Sequence, residues 1–472
     1  MHNEYKFKRS FYYETEKAIK NSSISFILGA RKCGKTVCMH QLENSLENAV
    51  YIDMKSEFDT DEKRRDIIKG ILNNIANNDS IVYLIDEATY MPTPDKSIAK
   101  IASAFNEYNN QNTKIVFSGS QSKAIEFWGH IACGGNARFI RTDFLSYPEW
   151  LAFKGVTEVS EKTYTDFLFN SREFYKDFSN TKEYLQGCLD ETIISNRKSV
   201  EYIVGNEVED LNVEMLLDVM YASLIKLHNH TNYYNFSNPK LLSNMIAHYF
   251  GDSLSEDEEQ YVTEILGNRY KNFKAMDSYD CKMAMTFLSD CGLTTLTYVS
   301  DELTVDPYIT AKLLKESSEL HTKPQVFSKF NLTIDYPMFY VDLIQSVLKD
   351  RDISEFPKEL LGSIVECQVR SLLPQTGSFE YRNSAGVEID YISNSGYAIE
   401  ISVSNKRTRD TNLDKLPNDY KKILLTKDMT QDTKDIQRIP YYQFIYNNSV
   451  GTELVEQLQK EEDKKTNEIK LD

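Results

Sequence analysis

Five short apolar runs mark the first third of the chain: "ISFIL" (Ile24–Leu28), "AVYIDM" (Ala49–Met54), "IVYLID" (Ile81–Asp86), "KIVFSG" (Lys114–Gly119) and "RFIRTDF" (Arg138–Phe144). None alternates with polar residues, which predicts strands buried on both faces. Helical patterns lie between them, from about Lys35, around Asp61–Ala76 and around Ser97–Tyr108. Strand–helix alternation of this kind predicts a parallel sheet covered by helices.

From about Leu151 to Leu320 helices dominate, and Val213–Leu227 has strong helical spacing. The stretch Asp252–Tyr261 reads as a charged loop or helix start. Tyr279–Asp306 reads as a helix followed by a short β-hairpin, which resembles the end of a winged helix. Its helix carries more aspartate than lysine, so it is read as a packing or interaction module rather than a DNA reader. From about Phe327 the pattern is mixed. A helix at Leu360–Leu373 precedes strand-like runs at Phe379–Arg382, Val387–Ile392, Tyr397–Val403, Lys421–Thr426 and Tyr441–Tyr446. The last residues are polar and read as a frayed tail.

The 472 residues suggest about three domains at ~150 residues each. No window approaches the ~20 uninterrupted apolar residues of a membrane span. The opening "MHNEYKFKRSFYYETEKAIKN" lacks the apolar core of a secretory signal. The seven cysteines form no CxxC pair, so neither a zinc site nor a disulfide framework is indicated, and a reducing cytoplasm is the simplest compartment. The net charge of −17 argues against a surface that attracts nucleic acid everywhere, but leaves a local basic groove open.

One motif turns this outline toward chemistry. "GARKCGKT", the residues Gly29, Ala30, Arg31, Lys32, Cys33, Gly34, Lys35 and Thr36, fits GxxxxGK[ST], follows a strand and opens a helix. Such a loop wraps phosphate with backbone N–H groups, and the helix N-terminus adds positive potential. Lys35 would reach the β- and γ-phosphates of ATP, and the Thr36 hydroxyl would hold Mg²⁺. In "IVYLIDEAT", Asp86 ends a strand and can support Mg²⁺, while Glu87 can polarise the attacking water. The strand end of "KIVFSGSQS" adds Ser118 and Ser120.

With these elements the chain looks like a P-loop ATPase of the AAA-like class. "GARKCGKT", "LIDEAT", "FSGSQS" and "LSYPEWLAF" (Leu145–Phe153) together resemble bacterial and archaeal AAA-type ATPases with a C-terminal domain of unknown function. The resemblance implies a strand inserted between the loop strand and the acidic strand. It makes Ser118 or Ser120 the γ-phosphate sensor, places Arg31 within the loop pattern, and leaves Arg138 or Arg141 as a second sensor. It also implies a restriction-endonuclease-like last domain whose pattern is a helix Glu, a strand Asp, then E-x-K. Glu366, Asp390 and Glu400 supply its acids as a tentative second metal site. Ser402 stands where that pattern has lysine, and Lys406 or Arg382 could substitute in charge. Independently, a three-residue loop Asn394-Ser395-Gly396 would pair Ser393 with Tyr397 and set Asp390 opposite Glu400. Opposed carboxylates repel unless a cation lies between them.

The expectation is an α/β P-loop ATPase domain over 1–155, a helical and winged-helix-like region over 156–320, an α+β endonuclease-like domain over 321–450, and a polar tail over 451–472. The function expected is an Mg·ATP-driven switch or motor with a degenerate nuclease-like end. A protein client, nucleic acid or further copies of the chain are left open as partners, with no membrane. The rival readings are an ATP-dependent nuclease, as in defence against mobile DNA, and a nucleotide-binding regulatory module without turnover.

Overall fold

The computed structural model describes residues 6–55, 60–175, 178–199, 210–229, 254–303, 305–306, 330–348, 358–374, 377–383, 386–403, 411–430, 433 and 435–469. The chain divides into two units: Met1–Thr157 with Gln186–Asp210 and Val450–Asp472, and Glu158–Leu185 with Leu211–Ser449.

In the first unit, five parallel strands lie in the order β2-β3-β4-β1-β5. They are β1 (Ile24–Leu28), β2 (Ala49–Asp53), β3 (Val82–Asp86), β4 (Lys114–Ser118) and β5 (Ala137–Arg141). Alternate residues feed opposite layers. Phe26 and Phe117 pack with Ile71, Ile98, Ile101 and Ile125 from α3 (Asp61–Asn77), α4 (Pro94–Tyr108) and α5 (Ser122–Cys133). Ile27, Leu84 and Val116 pack with Phe11, Met39 and Leu42 from α1 (Ser10–Asn21) and α2 (Lys35–Ser45). Helices thus cover both faces, which is why the strand runs lack polar alternation. Strand β4 lies between β1 and β3, so the loop after β1, Asp86 at the end of β3 and Ser118 at the end of β4 share one edge of the sheet.

The end of the chain differs from the expected tail. Thr452–Ile469 is a helix that packs on α6 (Tyr147–Lys154), burying Leu454 and Val455. Most of its apolar residues, Leu454, Val455 and Leu458, fall in the first two turns, so the sequence shows chiefly the polar remainder.

The second unit holds a mixed seven-stranded sheet. In sheet order its strands are Ile436–Pro440, Lys421–Thr426, Tyr397–Ile401, Glu388–Ser393, Ser378–Arg382, Thr294–Ser300 and Phe330–Ile334. Two expectations change here. Thr294–Ser300 does not fold back as a local hairpin after the helix Ser278–Asp290. It pairs antiparallel with Phe330–Ile334 and parallel with Ser378–Arg382, because a sheet interior offers it two partners. Tyr441–Asn448 is a helix, not a strand: Tyr441, Phe444 and Ile445 are buried at helical spacing, and the neighbouring Ile436–Pro440 takes the sheet edge. The charged stretch near residue 255 starts the helix Glu256–Ala275 with a Ser255/Glu258 capping box. Residues 252 and 253 and Lys406 lie outside the described residues. Among the described residues no helix is long and apolar enough to cross a membrane.

Candidate functional site

The loop leaves β1 after Leu28 and enters α2 at Lys35. A Cβ on Gly29 would lie 1.8 Å from the Thr142 carbonyl oxygen, so no other residue permits this approach. Gly34 precedes the helix at φ +97°, a left-handed conformation suited to glycine. Ser122 Oγ receives the Gly29 N–H at 2.7 Å and donates to the Gly29 carbonyl at 2.6 Å. Buried Lys35 turns its ammonium inward, donating to the carbonyls of Gly29 at 2.9 Å and Ala30 at 2.7 Å.

The acidic strand meets this loop directly. Thr36 Oγ1 donates to Asp86 Oδ2 at 2.6 Å, and Tyr51 donates to the same oxygen at 3.2 Å. Asp86 Oδ1 accepts from Ser118 Oγ and from the Glu87 N–H at 3.0 Å. Asp86 is therefore a buried carboxylate with both oxygens engaged. Glu87 has φ +50°, a left-handed turn. It accepts from Ser120 Oγ at 2.7 Å and from the Ser120 N–H at 3.3 Å. Burial, then the negative charges of Glu191 and Asp86, push the Glu87 carboxyl up to about 7.

Ser118 and Ser120 thus reach the site by holding the two acids. Arg138 does not reach it. It is exposed and pairs in register with Ser25, three residues before the loop end of β1, about 10 Å away at ~3.3 Å per residue. Arg141 is level with Leu28 but bonds Glu126 on α5.

Two supporting residues, Arg9 and Glu149, are not among the predicted site residues. Arg9 donates from Nη1 to the Cys33 carbonyl at 2.6 Å and pairs with fully buried Glu149 at 2.7 Å. Glu149 lies inside "LSYPEWLAF", where it also completes a capping box with Ser146. This buried pair braces the loop from outside. Glu149→Ala strands the Arg9 charge, and we expect a stability loss of about 3–5 kcal/mol in denaturant titration. A loss below about 1 kcal/mol would contradict the bracing role.

The second acidic constellation is built differently from expectation. Ser393 pairs with Tyr397 across Asn394-Ser395-Gly396, with Gly396 at φ +87°, so the hairpin has the three-residue loop. Its acids, however, are matched by protein groups. Arg370 Nη2 bonds Glu366 at 2.6 Å and lies 4.0 Å from Asp390, while Nη1 bonds Glu380 at 2.8 Å. Glu400 accepts from Thr411 Oγ1 and from the Asn412 N–H at 2.9 Å. Arg382 is engaged by Glu380 and Glu388. Among the described residues no group of three or more His, Cys, Asp or Glu side chains is arranged to hold a metal ion.

Burial and the nearby Glu366 raise the Asp390 carboxyl well above the usual carboxylate range. The folded chain then binds more protons than the unfolded chain from the ordinary aspartate range upward. Asp390 therefore removes stability as pH rises through that window. Asp390→Asn should flatten this fall in urea titrations run at a series of pH values from the ordinary aspartate range (about 4) upward. An unchanged slope would contradict the cause given.

Residues 21–150 match the family model of an AAA domain. The sheet order, the loop and the acidic strand identify this segment as an AAA-type P-loop α/β domain, separate from the mixed sheet that follows. No curated protein matches the chain in sequence. Among solved structures, the chain is similar to the ORC1 protein of Aeropyrum pernix in complex with DNA, at 11% identity over 74% of this chain and 95% of that one, with a TM-score of 0.26. It is also similar to AMPPCP-bound DnaA from Aquifex aeolicus, at 15% identity over 56% of this chain and 86% of that one, with a TM-score of 0.25.

Proposed function

We propose that the AAA-type domain binds ATP together with Mg²⁺ at Gly29–Thr36 and hydrolyses it, as a switch or motor acting on a protein client or nucleic acid. One observation carries this reading: the Thr36 hydroxyl and the Asp86 carboxylate, fifty residues apart in sequence, meet at 2.6 Å at the sheet edge where the loop opens. Two hard oxygen donors converging there suit Mg²⁺. The ion would supply charge neutralisation between the phosphate oxygens.

The chain's own residues divide the remaining work. Backbone N–H groups of the loop and the first turn of α2 receive the phosphates. Lys35 offsets the charge that builds on them. Glu87, held by Ser120 Oγ and N–H, takes up the proton of the attacking water. Ser118 fixes the carboxylate of Asp86 from behind.

For the second unit we propose recognition rather than phosphodiester cleavage, because Arg370 already occupies the centre of its acidic face. Incubating the purified protein with DNA and RNA in Mg²⁺ or Mn²⁺ tests this. No cleavage is expected, and robust cleavage abolished by Asp390→Ala would overturn it. The ATPase reading is tested by turnover of the parent against Glu87→Gln.

A further inference from the structure

The helix Thr181–Ser199, outside the segment that matches the AAA family, brings two residues of the first unit against the loop: Gly187 and, one turn later, Glu191. A Cβ on Gly187 would lie 2.3 Å from Arg31 Nη1 and 3.0 Å from Arg31 Cζ. The guanidinium therefore occupies space that glycine leaves open. Glu191 Oε2 bonds Arg31 Nε at 3.1 Å, and its Oε1 bonds Lys55 Nζ at 3.0 Å. Glu191 is buried, and its charge is felt at Glu87. Within one loop, Lys35 thus faces inward onto the loop carbonyls while Arg31 faces outward onto this helix.

A guanidinium fits a carboxylate and a phosphate with the same planar fork, so the two anions compete for it. We propose that Glu191, seated with Gly187 against the loop, competes with the terminal phosphate for Arg31 and so sets how strongly the site prefers a nucleoside triphosphate over a diphosphate. This rests on the reading of Gly29–Thr36 as the nucleotide loop. The second cation makes the exchange workable. When Arg31 turns to phosphate, Lys55 remains on Glu191, and the buried carboxylate is not left uncompensated. The affinity observed for triphosphate is then net of the Arg31–Glu191 pair, as for any ligand that draws on a minor arrangement.

The test is calorimetric titration of the full-length protein with ATP and with ADP in Mg²⁺. Glu191→Gln should bind ATP about five-fold or more tightly than the parent, with ADP changed by less than about two-fold. Gly187→Ala should do the same while keeping the Glu191 charge, because its Cβ displaces the flexible end of Arg31. A gain shared by both variants reports release of Arg31 rather than loss of a repulsive charge. Adding Arg31→Ala to Glu191→Gln should remove the gain. Folded Glu191→Gln and Gly187→Ala proteins that bind ATP as the parent does, or more weakly, would overturn the proposal. Lys35→Ala separates the two levels. If it loses ATP binding while the Glu191 and Gly187 variants match the parent, only this proposal falls. If the parent binds ATP no better than Lys35→Ala, the loop reading falls and the proposal with it.

Discussion

Lys35→Ala should abolish the ATP turnover proposed for this site. The ammonium is buried inside the loop and bonded to the Gly29 and Ala30 carbonyls, and on the proposed reading it would turn its charge to a bound polyphosphate. Removing a preorganised cation from a transition state of growing charge costs about 100-fold or more in rate. Charge-assisted hydrogen bonds of about 1.5–3 kcal/mol are lost from binding as well. Phosphate-release kinetics and ATP titration on the same preparation read both effects, with circular dichroism showing that the fold persists. Turnover within about ten-fold of the parent would remove Lys35 from its assigned place.

Glu87→Gln separates binding from chemistry. Gln keeps the shape of the side chain and can still accept from Ser120 through its carbonyl oxygen, so the left-handed turn at residue 87 is undisturbed. It cannot take a proton from water. Turnover should fall by about 10²–10⁴-fold while ATP affinity is retained. The charge removed also relieves a crowded set of carboxylates, since Asp86 and Glu191 both act on Glu87. Affinity for ATP should therefore hold or rise. Asp86→Ala should fail differently. It strips the acceptor of Thr36, Tyr51, Ser118 and the Glu87 N–H, so Mg²⁺-dependent binding itself should weaken. If Glu87→Gln turns over ATP at the parent rate, another group activates the water. A stalled, ATP-loaded Glu87→Gln protein is also the form in which a client would be captured.

What could be read from the sequence was local or periodic. Ile24–Leu28 is a strand because a mostly apolar run ends in a glycine loop, and the loop's spacing fixes the start of α2 at Lys35. The three-residue turn at Asn394–Gly396 follows from face parity and a left-handed glycine. What stayed hidden depends on contacts distant in sequence. Arg9 reaches Glu149 across 140 residues, and Glu191 reaches Arg31 from a helix well beyond the last strand of the sheet. One missed element was visible. Glu366 and Arg370 stand one helical turn apart, a spacing that favours an ion pair and is legible in the sequence itself. Tyr441, Phe444 and Ile445 likewise show helical spacing, but a run of aromatics favours strand by composition alone.

The measurement that bears most directly on the whole account is a calorimetric titration of the Glu87→Gln protein with ATP, in Mg²⁺ and again after chelation. Thr36 and Asp86 meeting at the edge of the loop predict one saturable site per chain in Mg²⁺, weakened by chelation and lost in the Lys35→Ala background. No ATP binding, or binding indifferent to both Mg²⁺ and Lys35, would contradict it.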